Sequence, residues 1–171
     1  DPTNGKMLLA GALLARVADD EEVAEGYFNQ ARAVGTDMTT CLVSLAAQSL
    51  SKTIASLEEQ EFQTVLESIG RIETEYGTTD WLAASRGTIA AVRETAEKGI
   101  YEAEAEALYA KAADLLNRKR LFDLRDVMDR LRSDYASSRP VNDVARSPSL
   151  AEMATSIAGL GKIVIVRLDG K

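Results

Sequence analysis

Residues 21–35 read EEVAEGYFNQARAVG, and their spacing decides the fold. Ala24, Phe28 and Ala31 stand four and then three residues apart, so they share one face of an α-helix. Glu21 and Glu22 fall in the first turn, where the positive end of the helix dipole favours carboxylates. Asp19-Asp20 supplies a cap just before them. Gly35 closes the segment in the left-handed position that ends many helices.

The flanking sequence follows the same period. A first helix is expected from about Asn4 to Ala18, capped by Thr3 or Asn4, with Leu8, Ala12 and Ala15 on one stripe. A third helix from Thr39 or Thr40 places Val43, Ala47, Leu50, Ile54 and Leu57 on a single face. After the polar break Glu58-Glu59-Gln60-Glu61, a fourth carries Val65, Ile69, Ile72 and Tyr76 and stops at Gly77-Thr78-Thr79. Asp80 can cap a fifth, which starts at Trp81 with Leu82, Ser85, Ile89, Val92 and Ala96 inward. One glycine, Gly99, costs about 1 kcal/mol and does not end a helix, so this one is expected to run on to Asn117. Trp81, the single tryptophan, reads as core between helix pairs rather than as an exposed anchor.

Arg118-Lys119-Arg120 then forms a tight basic turn, and a helix over about 121–136 turns Leu124, Val127, Met128 and Leu131 inward. Residues 137–148 read as the one long loop. A short helix from Ser149 to about Ala158 follows, and Ile163-Val164-Ile165-Val166 reads as a strand, β-branched throughout. The expected class is all-α: an array of antiparallel helical hairpins over 1–136, then a loop, short helix and C-terminal strand over 137–171 leading to a further domain. An apolar strand with no partner of its own implies pairing with a second copy, hence a homodimer through residues 162–168.

The inward stripes repeat. Val65, Ile69, Ile72 and Tyr76 match Leu124, Met128, Leu131 and Tyr135 at a separation of 59 residues. Ala24, Phe28 and Ala31 precede Val65, Ile69 and Ile72 by 41. The recurring unit is a helical hairpin, which must stack on a neighbour to bury its face.

Composition narrows the chemistry. The 171 residues hold 20 basic and 27 acidic side chains, a net charge of -7, which argues against a nucleic-acid binder. Histidine is absent, removing the commonest metal ligand and the usual general base near neutral pH. Cys41 stands alone, so it makes neither an internal disulfide nor a thiolate zinc site, and it reads as a small buried apolar residue. No apolar run approaches the ~20 residues that span a bilayer. Glycine-rich phosphate loops are missing, and Gly161-Lys162 reads as a helix stop. Glu102, Glu104 and Glu106, spaced by two, fan around a helix and cannot converge on one cation. Ser49 and Lys52 stand one turn apart, yet read as ordinary exposed residues. The basic set Arg118, Lys119, Arg120, Arg125, Arg130 and Arg132 is interleaved with aspartates, and pairs such as Asp126–Arg130 suit intrahelical bridges. No catalytic, cofactor or metal residues are expected.

On these residues the chain resembles the tetratricopeptide repeat family. The best copy is 5–38, with Ala12 at the small first-helix position and Ala24, Phe28 and Ala31 as the small, aromatic, small face of the second. Ala112 with Leu108 and Leu115 is a weaker copy. The first unit lacks the family's usual first-helix Trp, Gly and Tyr, and no proline closes any unit. The resemblance implies a non-catalytic scaffold presenting a groove to a protein or peptide, lined by the first helix of each pair. Carried over, that face is Lys6, Leu9, Leu13 and Arg16, whose two cations would suit an acidic peptide. The alternative is a structural spacer in a longer multidomain signalling protein, since bacterial members often combine such repeats with kinase domains.

Overall fold

The computed structural model describes residues 2–18, 20–77 and 79–162, with side chains described between residues 4 and 160. Among them the chain is all-α. The helices are α1 (Pro2–Val17), α2 (Glu21–Ala33), α3 (Thr39–Glu58), α4 (Phe62–Tyr76), α5 (Asp80–Asn117), α6 (Leu121–Asp134), α7 (Arg139–Asn142) and α8 (Ser147–Ala158). Short 3-10 turns occupy Val144–Arg146 and Gly159–Lys162. The strand expected at Ile163–Val166, and the dimer built on it, lie outside the described residues. The described residues divide into two compact units, whose borders fall at Asp1–Ala96 and Glu97–Lys171, and α5 supplies residues to both.

In the first unit, α1 packs on α2 and α3 on α4. Ala12, Ala24 and Ala31 are fully buried and Phe28 nearly so, as their spacing predicts. Two glycines set how close the chain can come. A Cβ on Gly11 would stand 3.3 Å from the Tyr27 ring of α2, and one on Gly5 would fall inside the Thr36 side chain. Asp20 caps α2, its carboxylate accepting from Val23 N at 3.2 Å. Val65, Ile69, Ile72 and Tyr76 of α4 and Leu82, Ile89, Val92 and Ala96 of α5 complete one core, and Trp81 packs half-buried against it.

Two local expectations are corrected. The buried face of α3 is Cys41, Leu45, Ala46, Leu50 and Thr53, and Ala47 is exposed. The larger side chains Val43, Ile54 and Leu57 are half-buried flanks, because the centre of the face needs small residues where α3 meets its neighbours. Asp80 is the first residue of α5 rather than its cap. The hydroxyl of Thr79 accepts from Leu82 N at 3.3 Å in that role.

The second unit gathers Ala105, Ala112 and Leu115 of α5, Leu124, Val127, Met128 and Leu131 of α6, and Met153 of α8 into a separate core. The stretch expected as an open loop instead holds α7 and a 3-10 turn. The alternating carboxylates of α5 hold it: Glu102 accepts from Arg139 N at 2.8 Å, Glu104 from the Tyr135 hydroxyl at 2.7 Å, and Glu106 from Arg146 Nη1 at 2.6 Å. Their fan converges on no ion, yet it meets three successive parts of one neighbouring segment. The aspartates and arginines of α6 do pair locally, with shifted partners. Asp126 bridges Arg125 at 3.2 Å and Asp134 bridges Arg130 at 3.9 Å.

The 59-residue repeat extends to the backbone. Between α3 and α4, Gln60 N donates to Leu57 O at 3.1 Å and Glu61 N to Ser56 O at 2.9 Å. Between α5 and α6, Lys119 N donates to Leu116 O at 3.0 Å and Arg120 N to Leu115 O at 2.9 Å. Gln60 and Lys119 both take the left-handed conformation, with φ of 64° and 58°. The turn after α1 keeps the same long bond 41 residues earlier, Asp20 N to Ala15 O at 2.9 Å. This six-residue closure satisfies carbonyls that the helix end would leave bare.

Replacing Ala24 by Arg places a charge where no space or partner exists, and thermal unfolding should show a loss of at least about 3 kcal/mol. Conversely, Gln60→Gly and Lys119→Gly relieve the left-handed penalty at a position where glycine is natural. Each should stabilise by about 0.5–1 kcal/mol, read as a rise in Tm.

Candidate functional site

Two concavities open in the first unit, at opposite ends of α1. The larger, about 810 Å³, lies between α1 and the start of α3. Leu9, Leu13 and Cys41 form its apolar floor, and Lys6, Asp37 and Ser44 its polar rim. The turn from α2 to α3 closes one side. Gly35, with φ of 70°, lets Thr36 N reach back to Ala31 O at 3.1 Å. Asp37 then accepts from Thr39 N at 2.9 Å, and these hydrogen bonds hold its carboxyl below the ordinary value. Gly5 lets Thr36 come against α1, so the wall of the groove depends on a missing side chain. Cys41 is buried, and desolvation pushes its thiol above the ordinary range.

The smaller concavity, about 300 Å³, lies among the end of α1 and the facing sides of α3 and α4. Its lining is polar. Arg16 enters from α1, with Nη2 at 3.6 Å from Glu21 and Nη1 at 3.7 Å from Glu75. Its Nε is buried and has no hydrogen-bond partner. Tyr76 of α4 is 2% exposed and its hydroxyl is likewise unpartnered. Burial pushes the phenol up; the nearby Ser49 hydroxyl and the Arg16 charge oppose that, but Ser49 does not complete a hydrogen bond. Arg71 donates to Ser68 Oγ at 3.3 Å and, among the described residues, has no carboxylate at ion-pair distance.

Of the face expected from sequence, the structure brings Lys6, Leu9 and Leu13 together in the groove and places Arg16 in the smaller pocket. All four follow one side of α1, but the ten residues from Lys6 to Arg16 span roughly 15 Å of helix, and the far end meets different neighbours. Ser49 and Lys52, read as plain surface, line the pocket with Arg16. Sequence reasoning did not single out Arg71 or the Tyr76 hydroxyl. The available signal was a tyrosine on an apolar stripe, whose hydroxyl needs a partner once the ring is buried.

Among the described residues no group of three His, Cys, Asp or Glu side chains could hold a metal ion, and no helix is long and apolar enough to cross a membrane. No family model, curated protein or solved structure matches the chain.

Burial and the raised pKa both slow the Cys41 thiol. Its alkylation by iodoacetamide at pH 8 should run at least about tenfold slower than for an unfolded control in urea. The folded-state pKa lies above the unfolded one, so the thiol's contribution to stability is present below the unfolded pKa and is lost as pH rises through the folded value. Cys41→Ala should flatten that alkaline limb of the unfolding profile.

Proposed function

We propose that the chain is a non-catalytic protein-interaction module of the tetratricopeptide type, an array of antiparallel helical hairpins. Its groove between α1 and α3 takes an extended segment of a protein partner. The observation that carries this reading is the groove itself: an apolar floor of Leu9 and Leu13 with polar groups only at the rim. Such a surface suits a peptide that buries one or two apolar side chains and leaves its backbone to the rim hydroxyls and Asp37. Lys6 and Asp37 are of opposite sign, so the rim has no strong charge preference and shape selects the ligand.

Small residues at matching places support the hairpin reading. Gly5, Ala46 and Ala105 stand at one register of the first helix of each pair, and Ala12, Thr53 and Ala112 at the next. All six are buried, so the first and second helices of each pair can approach closely.

The test is a peptide-library screen followed by titration of the tightest binder. Ser44 is exposed at the groove edge, so Ser44→Arg fills the groove with little effect on folding. It should weaken the selected peptide at least about tenfold while Tm stays close to the native value. A library with no binder whose affinity falls in Ser44→Arg removes this reading.

A further inference from the structure

The 59-residue repeat supplies an internal standard for the smaller pocket. In the second unit, the counterparts of Arg71, Glu75 and Tyr76 are Arg130, Asp134 and Tyr135. There the set satisfies itself: Arg130 bridges Asp134 at 3.9 Å, and the Tyr135 hydroxyl donates to Glu104 at 2.7 Å. In the first unit the same set is opened. Glu75 turns to Arg16, Arg71 keeps no carboxylate, and the Tyr76 hydroxyl donates to nothing.

The lining differs in the same direction. Leu108, Leu115 and Val127 of the second unit contribute to its core. Their counterparts 59 residues earlier are Ser49, Ser56 and Ser68, and all three line the pocket. Three apolar side chains are thus exchanged for hydroxyls at the place where two buried donors, Tyr76 Oη and Arg16 Nε, stand unpartnered. A buried donor without an acceptor is costly to the fold, and such groups are rare unless something completes them. The surplus is of donors and of positive charge: Arg16, Lys52 and Arg71 against Glu21 and Glu75.

From this we infer that the pocket between α3 and α4 binds a small hydroxylated organic anion. Its carboxylate or phosphate head accepts from Arg71, Arg16 Nε and the Tyr76 hydroxyl, and its hydroxyls exchange hydrogen bonds with Ser49, Ser56 and Ser68. A cavity of about 300 Å³ has room for a body of sugar size behind the head group. The inference does not rest on the peptide groove, which lies at the other end of α1.

The experiment uses the full chain, with glucose 6-phosphate, gluconate, inorganic phosphate and neutral glucose at constant ionic strength. Binding is read by calorimetry and by the shift in Tm. Glucose 6-phosphate or gluconate should bind and raise Tm, and whichever is tighter names the head group. Glucose should not bind, and phosphate alone should bind at least about tenfold more weakly, lacking the hydroxyls. Arg71 is exposed, so Arg71→Gln should fold normally and lose at least about tenfold in affinity.

Tyr76→Phe separates a binding role from a structural one. It deletes an unpartnered buried hydroxyl, so without ligand its Tm should equal or exceed that of the native chain, while the ligand-induced rise is lost. Tyr135→Phe, which breaks a hydrogen bond already made, should lower Tm and leave ligand binding intact. The inference is overturned if neither organic anion binds, if glucose or phosphate matches them, if Arg71→Gln binds unchanged, or if Tyr76→Phe lowers the Tm of the free protein.

Discussion

At Ala12, Ala24 and Ala31 the side chain ends at a methyl group, and each is wholly buried. Close approach of helix backbones is the constraint on which the first unit depends. Dispersion energy falls steeply with separation, so two helices brought together by small residues gain contact along their whole length. Phe28, the one large group on that face, then fills the gap beside the small residues. Gly5 and Gly11 extend the same logic past alanine, to places where even a Cβ meets Thr36 or Tyr27. The groove inherits its wall from this packing, since Thr36 stands where it does because Gly5 yields the space.

The turns make the packing repeatable. Three connections close on the same six-residue hydrogen bond, Asp20 N to Ala15 O, Glu61 N to Ser56 O and Arg120 N to Leu115 O, each 2.9 Å. A fixed turn sets which face of the second helix meets the first. Stripes of quite different chemistry, Ala24-Phe28-Ala31 and Leu124-Met128-Leu131, can then occupy the same register. What varies is how much volume each stripe supplies. Where the second unit fills its interior with Leu108, Leu115 and Val127, the first leaves serines and a pocket.

Charge plays a different part in the two units. Glu102, Glu104 and Glu106 each find a donor from residues 135–146, so the second unit converts an acidic run into attachment of its own chain. Exposed pairs of this kind contribute little individually. Their effect is to select one position for a segment that has few apolar residues to bury. In the first unit, Arg16 is divided between Glu21 and Glu75 at 3.6 and 3.7 Å, longer than a direct charge-assisted hydrogen bond.

Helix identity, the stripes of α2, α4 and α6, the cap at Asp20, the left-handed Gly35 and the 59-residue repeat were all legible in the sequence. Each depends on interactions among residues a few positions apart, whose geometry the helix itself dictates. The face of α3 was misjudged because Val43, Ala47, Leu50, Ile54 and Leu57 form an equally regular stripe. Only the neighbours on either side determine that Cys41, Ala46 and Thr53 go inward. The pairing of Asp126 with Arg125 rather than Arg130, and the capture of residues 135–146 by α5, were likewise settled by packing. The same holds for the candidate sites. Lys6, Leu9, Leu13 and Arg16 share one side of α1 in any helix, and sequence could say that much. That three of them face a groove and the fourth a polar pocket depends on what lies across from each turn. The vacancy at the Tyr76 hydroxyl depends further on a carboxylate, Glu75, turning to an arginine sixty residues away in the chain, and local spacing holds no record of that choice.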